Sequence, residues 1–202
     1  MNVNDASVEL DDQERKALLQ LARASLERWL HKGRLLSPEE EEAYALGKAS
    51  RRELNVFVSL HDRGVLRGCI GTLAADKPLF RAVAASAISA GTRDPRFSPL
   101  SLEELSRCEI DISVLGPFVP ISSVEQIVVG QHGLLLEKGG CRGLLLPQVA
   151  TQYGWDAAQF LRQTFIKAGL PPQSKIGDAK VLVFSACVFC EKDYPDLTRS
   201  SG

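Results

Sequence analysis

Asn55-Val-Phe-Val-Ser-Leu-His-Asp-Arg-Gly-Val-Leu-Arg-Gly-Cys-Ile-Gly-Thr72 is the stretch on which the fold turns. Its first limb, Asn55–Leu60, is a β-branched run of the kind that fits a pleated, half-buried surface. His61-Asp-Arg-Gly64 carries turn chemistry, and Val65–Thr72 returns, so the segment predicts a β-hairpin. On a regular strand alternate residues share a face. Arg67, Cys69 and Gly71 would then lie on one side, and Leu66, Gly68 and Ile70 on the other. Leu66 and Ile70 make the natural core side, so the guanidinium and the thiol are expected to point outward together.

Downstream, Asp76 is expected to cap a helix with Pro78 in its first turn, running through Leu79-Phe80 and Ala82–Ile88 to Gly91. Its small side chains allow close approach to a sheet. Asp94-Pro-Arg-Phe-Ser-Pro99 must be a turn, because two prolines exclude regular structure. Ser101-Leu-Glu-Glu104 reads as a capping box opening a short helix. Cys108–Val114 alternates, with Cys108, Ile110, Ile112 and Val114 on one face and Glu109, Asp111 and Ser113 on the other: a half-buried, antiparallel strand. A second hairpin spans Gly133–Leu146 around Lys138-Gly-Gly140, and a helix over 156–168 follows. Val181–Phe189 is apolar on both faces and predicts one central strand. Arg67-Gly68 and Arg142-Gly143 occupy like places in the two hairpins, and each hairpin precedes a proline-initiated helix. The order hints at a duplicated unit.

Upstream, Asp11-Asp-Gln-Glu14 resembles a capping box for a helix reaching Leu30, with Gly33 as its stop. Ser37-Pro-Glu-Glu-Glu-Glu42 starts a second helix, and its acids suit the positive end of the helix dipole. The division expected is a helical segment over 1–50 packed on the main domain, an α+β domain over 51–190, and a polar, frayed tail over 191–202.

The 202 residues carry 24 basic and 25 acidic side chains, a net charge of −1, which gives no basic excess for general nucleic-acid binding. No apolar run approaches the roughly 18–20 residues of a membrane span. The start, Met1-Asn-Val-Asn-Asp-Ala-Ser7, lacks a basic-then-apolar signal, and five cysteines do not make a paired framework. A cytoplasmic protein with neither membrane nor nucleic-acid partners is expected.

Val65-Leu-Arg-Gly-Cys-Ile-Gly71 resembles the hallmark of the AMMECR family, protein A of the AmmeMemoRadiSam set, and Val56–Leu60 resembles the strand leading into it. Asp94–Leu100 with Leu102–Leu105 is similar to the family's next landmark. Gly143-Leu-Leu-Leu-Pro-Gln-Val149, Tyr153-Gly-Trp155, Phe160-Leu161 and Ala168-Gly-Leu-Pro171 match the third. The likeness covers roughly residues 14–190. Ser59 stands where family members often carry Thr, and the loop at 172–179 is not distinctive. The resemblance implies an α+β fold of two β–α repeats forming one barrel-like, mainly antiparallel sheet flanked by helices. It also implies association with Memo-like and radical-SAM proteins in a modification pathway. It carries over no settled activity and no known cofactor, and the substrate, small molecule or protein, is unknown.

Two readings attach to each candidate residue. As chemistry, Cys69 is a nucleophile with Arg67 lowering its pKa and Asp94 orienting or acting as a base, while Gly68, Gly71, Arg96 and His61 bind a small anionic substrate. As structure, Cys69 is a small core residue, Arg67 pairs with a carboxylate, the glycines accommodate the sheet, Asp94 forms the turn and Phe97 anchors it. The first gives an enzyme with a Cys/Arg cleft, the second a non-catalytic adaptor or regulatory protein-binding module. Cys187-x-x-Cys190 has metal-motif spacing but sits in a predicted strand, where residues three apart face opposite ways, so no metal is expected. His31, His61 and His132 show no ligand spacing, Arg142 has no assigned role, and Trp29 and Trp155 read as core.

Overall fold

The computed structural model describes residues 8–45 and 47–197. The first helix, α1 (Asp12–Lys32), starts where the sequence predicts: the Asp11 side chain accepts the Glu14 N–H at 2.8 Å and Glu14 answers to the Asp11 N–H. The Glu14 carboxylate is buried and also accepts the Ala49 N–H at 3.0 Å, so a helix cap ties down the following segment. The short α2 (Pro38–Glu42) carries the same reciprocal cap through Ser37 and Glu40. Strands β1 (Asn55–Asp62) and β2 (Val65–Thr72) form the expected hairpin, then come α3 (Leu79–Thr92), α4 (Leu102–Leu105) and β3 (Cys108–Leu115). Helix α3 begins at Leu79 after Pro78, with no side-chain cap, so Asp76 does not hold its end as predicted.

The remaining elements are β4 (Val119–Ile121), β5 (Gly133–Lys138), β6 (Cys141–Leu145), α5 (Pro147–Gln152), α6 (Ala157–Lys167), β7 (Lys180–Phe184) and β8 (Ala186–Cys190). The strands divide between two four-stranded sheets, ordered β2-β1-β3-β8 and β6-β5-β7-β4, and among the described residues no closed barrel forms. The apolar run 181–189 is therefore not one central strand. It breaks at Ser185, with β7 inside one sheet and β8 at the edge of the other.

Two compact units result. Among the described residues, one holds 9–45, 47–114 and 187–197, and the other is built on Leu115–Ala186. In the first, Val56, Val58 and Leu60 of β1 and Ile110, Ile112 and Val114 of β3 are fully buried; α3 packs on β1 and β2, and α1 on α3. The second closes around Leu134, Leu136, Phe160, Phe165 and Val183. Glu191 is not part of a frayed tail: it is buried and paired with Arg23 of α1.

The expected duplication is visible in the sheet orders, since each unit runs hairpin, helix, third strand. It also explains the paired Arg-Gly steps. A Cβ at Gly68 would stand 2.1 Å from the Ala90 carbonyl of α3, and one at Gly143 would stand 2.6 Å from the Ala168 N and 2.8 Å from the Thr164 carbonyl at the end of α6. Both glycines let a helix sit directly on a strand. Gly68→Ala is expected to cost about 3 kcal/mol, the upper end of overpacking, because backbone must yield. Thermal denaturation should show a fall of about 6–12 °C. Gly177→Ala, where a Cβ would meet nothing within 4 Å, should leave the melting temperature nearly unchanged.

Candidate functional site

The hairpin register decides where the candidate side chains go. Ser59 pairs with Cys69 and Leu60 with Gly68, but His61 pairs with Leu66. Arg67 is an extra residue at this bulge, so it falls out of the alternation that would place it beside Cys69. Its guanidinium turns to Glu104 of α4, Nε to Oε1 at 3.1 Å and Nη2 to Oε2 at 3.3 Å, and lies 5.8 Å from the Phe97 ring centroid. Arg67 also acts on Cys108, a core-side cysteine whose thiol is pushed up chiefly by burial. Arg67 thus takes the role of a carboxylate-paired structural cation. The outward Arg67–Cys69 pairing does not form.

The cation beside the thiol is Arg96. Asp94 follows α3, and Pro95 fixes the turn behind it. Asp94 is buried, and Oδ2 accepts the Cys69 N–H of edge strand β2 at 2.8 Å. The same carboxylate accepts Arg96 Nε at 2.9 Å, Nη2 at 2.6 Å and the Arg96 N–H at 3.1 Å. The Arg96 guanidinium, helped by the two backbone N–H groups, holds the Asp94 carboxyl well below the usual carboxylate range. Asp94 is therefore a fully committed acceptor. It orients the turn and is not free to act as a base. Arg96 is raised, by Asp94 first and with Cys69 among the groups acting on it; its side chain is 50% exposed and stacks 5.4 Å from the Phe97 ring. Cys69, Asp94 and Arg96 converge as the sequence allowed.

The two glycines offer no ligand space. Gly68 is filled by α3, and a Cβ at Gly71 would meet the Val56 carbonyl and the Phe57 ring. His61, by contrast, is not a plain surface turn residue. It lies two positions beyond Ser59, on the face of the sheet away from α3, and its Nδ1 is 3.2 Å from Asp111 Oδ2. Burial pushes the Asp111 carboxyl up while His61 pulls it down. Glu109 shares that face and pairs with Lys192. Asp111 was legible only as an outward member of β3; nothing in sequence spacing tied it to His61.

Elsewhere, Cys187 lies beside Arg15, and the Cys190 N–H donates to Asp193. Among the described residues no group of three or more His, Cys, Asp or Glu is placed to hold a metal ion. Arg142 pairs with Glu137 at 2.5 Å on an exposed hairpin. His132 is buried and accepts the Val128 N–H, and Trp155 stacks on Tyr153 and packs against the second core.

An α+β chain of two hairpin–helix–strand units, in which an Asp-Pro-Arg turn grips the edge of a Gly-Cys strand, defines one class of protein. The chain belongs to the AMMECR1 family, whose model matches residues 19–189. It is 40% identical over 189 residues to "Protein Mbar_A1807" of Methanosarcina barkeri, covering 91% of this chain and 93% of that one. It is likewise 40% identical to "Protein PF1979" of Pyrococcus furiosus, over 92% of this chain and 91% of the relative. The crystal structure of the uncharacterized protein PH0010 from Pyrococcus horikoshii superposes with a TM-score of 0.82 at 37% identity, covering 91% of this chain and 94% of that chain. No helix among the described residues is long and apolar enough to cross a membrane.

Proposed function

We propose that this protein works inside the cell with Memo-like and radical-SAM partners in a modification pathway, presenting Cys69 as a nucleophile to a small anionic substrate held by Arg96. The observation that carries this reading is the Asp94 clamp. One buried carboxylate fixes both the strand that bears the thiol and the guanidinium beside it. An arginine has five N–H donors, and Asp94 takes those of Nε and Nη2 that face it, so donors remain for a ligand on the exposed side. Cys69 is a free, partly exposed thiol, and Arg96 is close enough for the two to interact. A second reading, a non-catalytic adaptor, is favoured by a groove of about 620 Å³ lined by Arg28, His31, Leu36, Glu40 and Tyr44.

Alkylation distinguishes the two. Cys69 of the native protein is expected to react with iodoacetamide about 10-fold faster than in the denatured chain, with the site read by mass spectrometry. Iodoacetate, which carries the anion, should gain further, and Arg96→Gln should remove that gain. A Cys69 no faster than its denatured control ends the nucleophile proposal and leaves the adaptor.

A further inference from the structure

Helix α3 is pressed onto β2 at one end. A Cβ at Gly68 would stand 2.1 Å from the Ala90 carbonyl in the last turn of the helix. Further along, a cavity of about 130 Å³ opens between the two elements. Its walls are the strand at Ile70, Gly71 and Thr72, the helix at Ala82, Ser86 and Ser89, and Lys77 ahead of the helix. Positions 82, 86 and 89 share one helical face, so that wall follows from their spacing. Pockets for drug-sized ligands run to roughly 300–1,000 Å³, so this one suits a group of only a few atoms.

The lining is rich in hydrogen-bond donors. Ser86 is 5% exposed, yet its hydroxyl meets no hydrogen-bond partner among the described residues. Native structures rarely leave a buried hydroxyl without a partner, and this one lines the cavity. The Ser89 hydroxyl has none either. Thr72 Oγ1 accepts the Ala74 N–H at 3.2 Å, so its own hydrogen is left to donate. Lys77 Nζ is 3.7 Å from Asp76, beyond hydrogen-bond length, and brings a positive charge. The strand adds one donor more. β2 is an edge strand, and the Cys69 N–H points off that edge to Asp94. In an antiparallel pair, N–H groups two residues apart point the same way, and no slip intervenes between the pairs Ser59/Cys69 and Phe57/Gly71. The Gly71 N–H therefore also faces the open edge, although no room exists where a Cβ would stand. Among the described residues no Asp or Glu lines the cavity.

We propose that this cavity binds the phosphate group of a small molecule, at a site of which Arg96 is no part. Three hydroxyls, one backbone N–H and one ammonium surround a space that holds a single group. A phosphate offers acceptor oxygens to strand, helix and lysine at once, where a carboxylate has only two, and charge-assisted bonds of this kind are the strong ones. The Ser86 hydroxyl gains the acceptor it lacks. The thiol of Cys69 takes no part, so the site stands or falls apart from the nucleophile reading.

The test is a proton–nitrogen NMR titration of the full chain at fixed ionic strength, with inorganic phosphate in one arm and glycerol phosphate in the other. The amides of Gly71, Ser86 and Ser89 should shift saturably, and acetate should bind about 10-fold more weakly. Ser86→Ala, which suits a helix, should weaken phosphate binding about 10-fold, as should Lys77→Gln, while Arg96→Gln leaves the Kd unchanged. Glycerol phosphate bound more tightly than inorganic phosphate assigns the site to a phosphate ester, and any other order assigns it to the free ion; either upholds the cavity. No saturable shift in either arm, or a shift that acetate produces equally, overturns the proposal. So does binding that Arg96→Gln abolishes and Ser86→Ala leaves intact. Should Ser86→Ala fail to fold, Ser89→Ala and Lys77→Gln decide in its place: native affinity in both rejects the site.

Discussion

Glu191→Ala should lower the melting temperature by about 6–20 °C, the consequence of losing about 3–5 kcal/mol when one partner of a buried ion pair is removed from a chain of this size. Glu191 is 3% exposed. Its carboxylate accepts Arg23 Nε and Nη2, each at 2.6 Å, and the Ile110 N–H at 2.9 Å. Arg23 in turn donates to the Cys108 carbonyl at 2.8 Å and the Leu105 carbonyl at 3.3 Å. The pair thus fastens α1 to the start of β3 and to the segment beyond β8. Truncation leaves a mostly buried guanidinium without its counter-charge and the Ile110 N–H without an acceptor. Glu191→Gln keeps the acceptor for Ile110 and should cost less than the alanine variant. Urea and thermal denaturation check both. A shift below about 2 °C for the alanine variant would mean that the network contributes no more than a surface pair.

Asp94→Asn should be the most pH-revealing substitution. The folded carboxyl lies below its unfolded value of 3.8, because Arg96 first, and then the Cys69 and Arg96 N–H groups, favour the charged form. The sign follows from proton uptake. A depressed carboxyl contributes stability that is fully present above the unfolded value and is lost as pH falls toward the folded one. Arg96 is half exposed, so solvent screens its share, and a loss of about 2 kcal/mol at pH 7 is expected. The gap between native and Asp94→Asn stabilities, read by urea denaturation, should be constant from pH 7 to about 5. It should narrow as pH drops below about 4. A gap that stays constant down to pH 3 would show that the ionised carboxylate is not what the turn depends on. The same variant frees the Cys69 strand edge, and its alkylation rate should move toward the denatured value.

Much of the architecture was legible because its signals are local. The caps at Asp11/Glu14 and Ser101/Glu104 depend on residues three apart, and both form as read; the helix expected at Ser37 also forms, closed by a Ser37/Glu40 cap. The alternation of β3 correctly separates Cys108, Ile110 and Ile112 from Glu109 and Asp111. The repeated Arg-Gly step marks two strand–helix contacts, Gly68 against Ala90 and Gly143 against Thr164 and Ala168. Of the candidate site residues only some come together, and Gly68 and Gly71 are closed off by neighbouring atoms where a Cβ would stand. Cys69, Asp94 and Arg96 come together, whereas Arg67 goes to Glu104 and Asp111 comes to His61.

By itself the sequence determined the two hairpins, the alternating strand β3 and the starts of the helices capped by Asp11 and Ser101, while it left open whether the thiol-bearing hairpin would meet the Asp-Pro-Arg turn. Periodicity and capping act over three or four residues, and those are written along the chain. Only the tertiary structure decided the slip at Leu60/His61 that removes Arg67 from the thiol's company, and the break at Ser185 that sends two halves of one apolar run into different sheets. Both are choices of strand partner. They are set by which distant backbone is available to pair, a competition that no local pattern encodes.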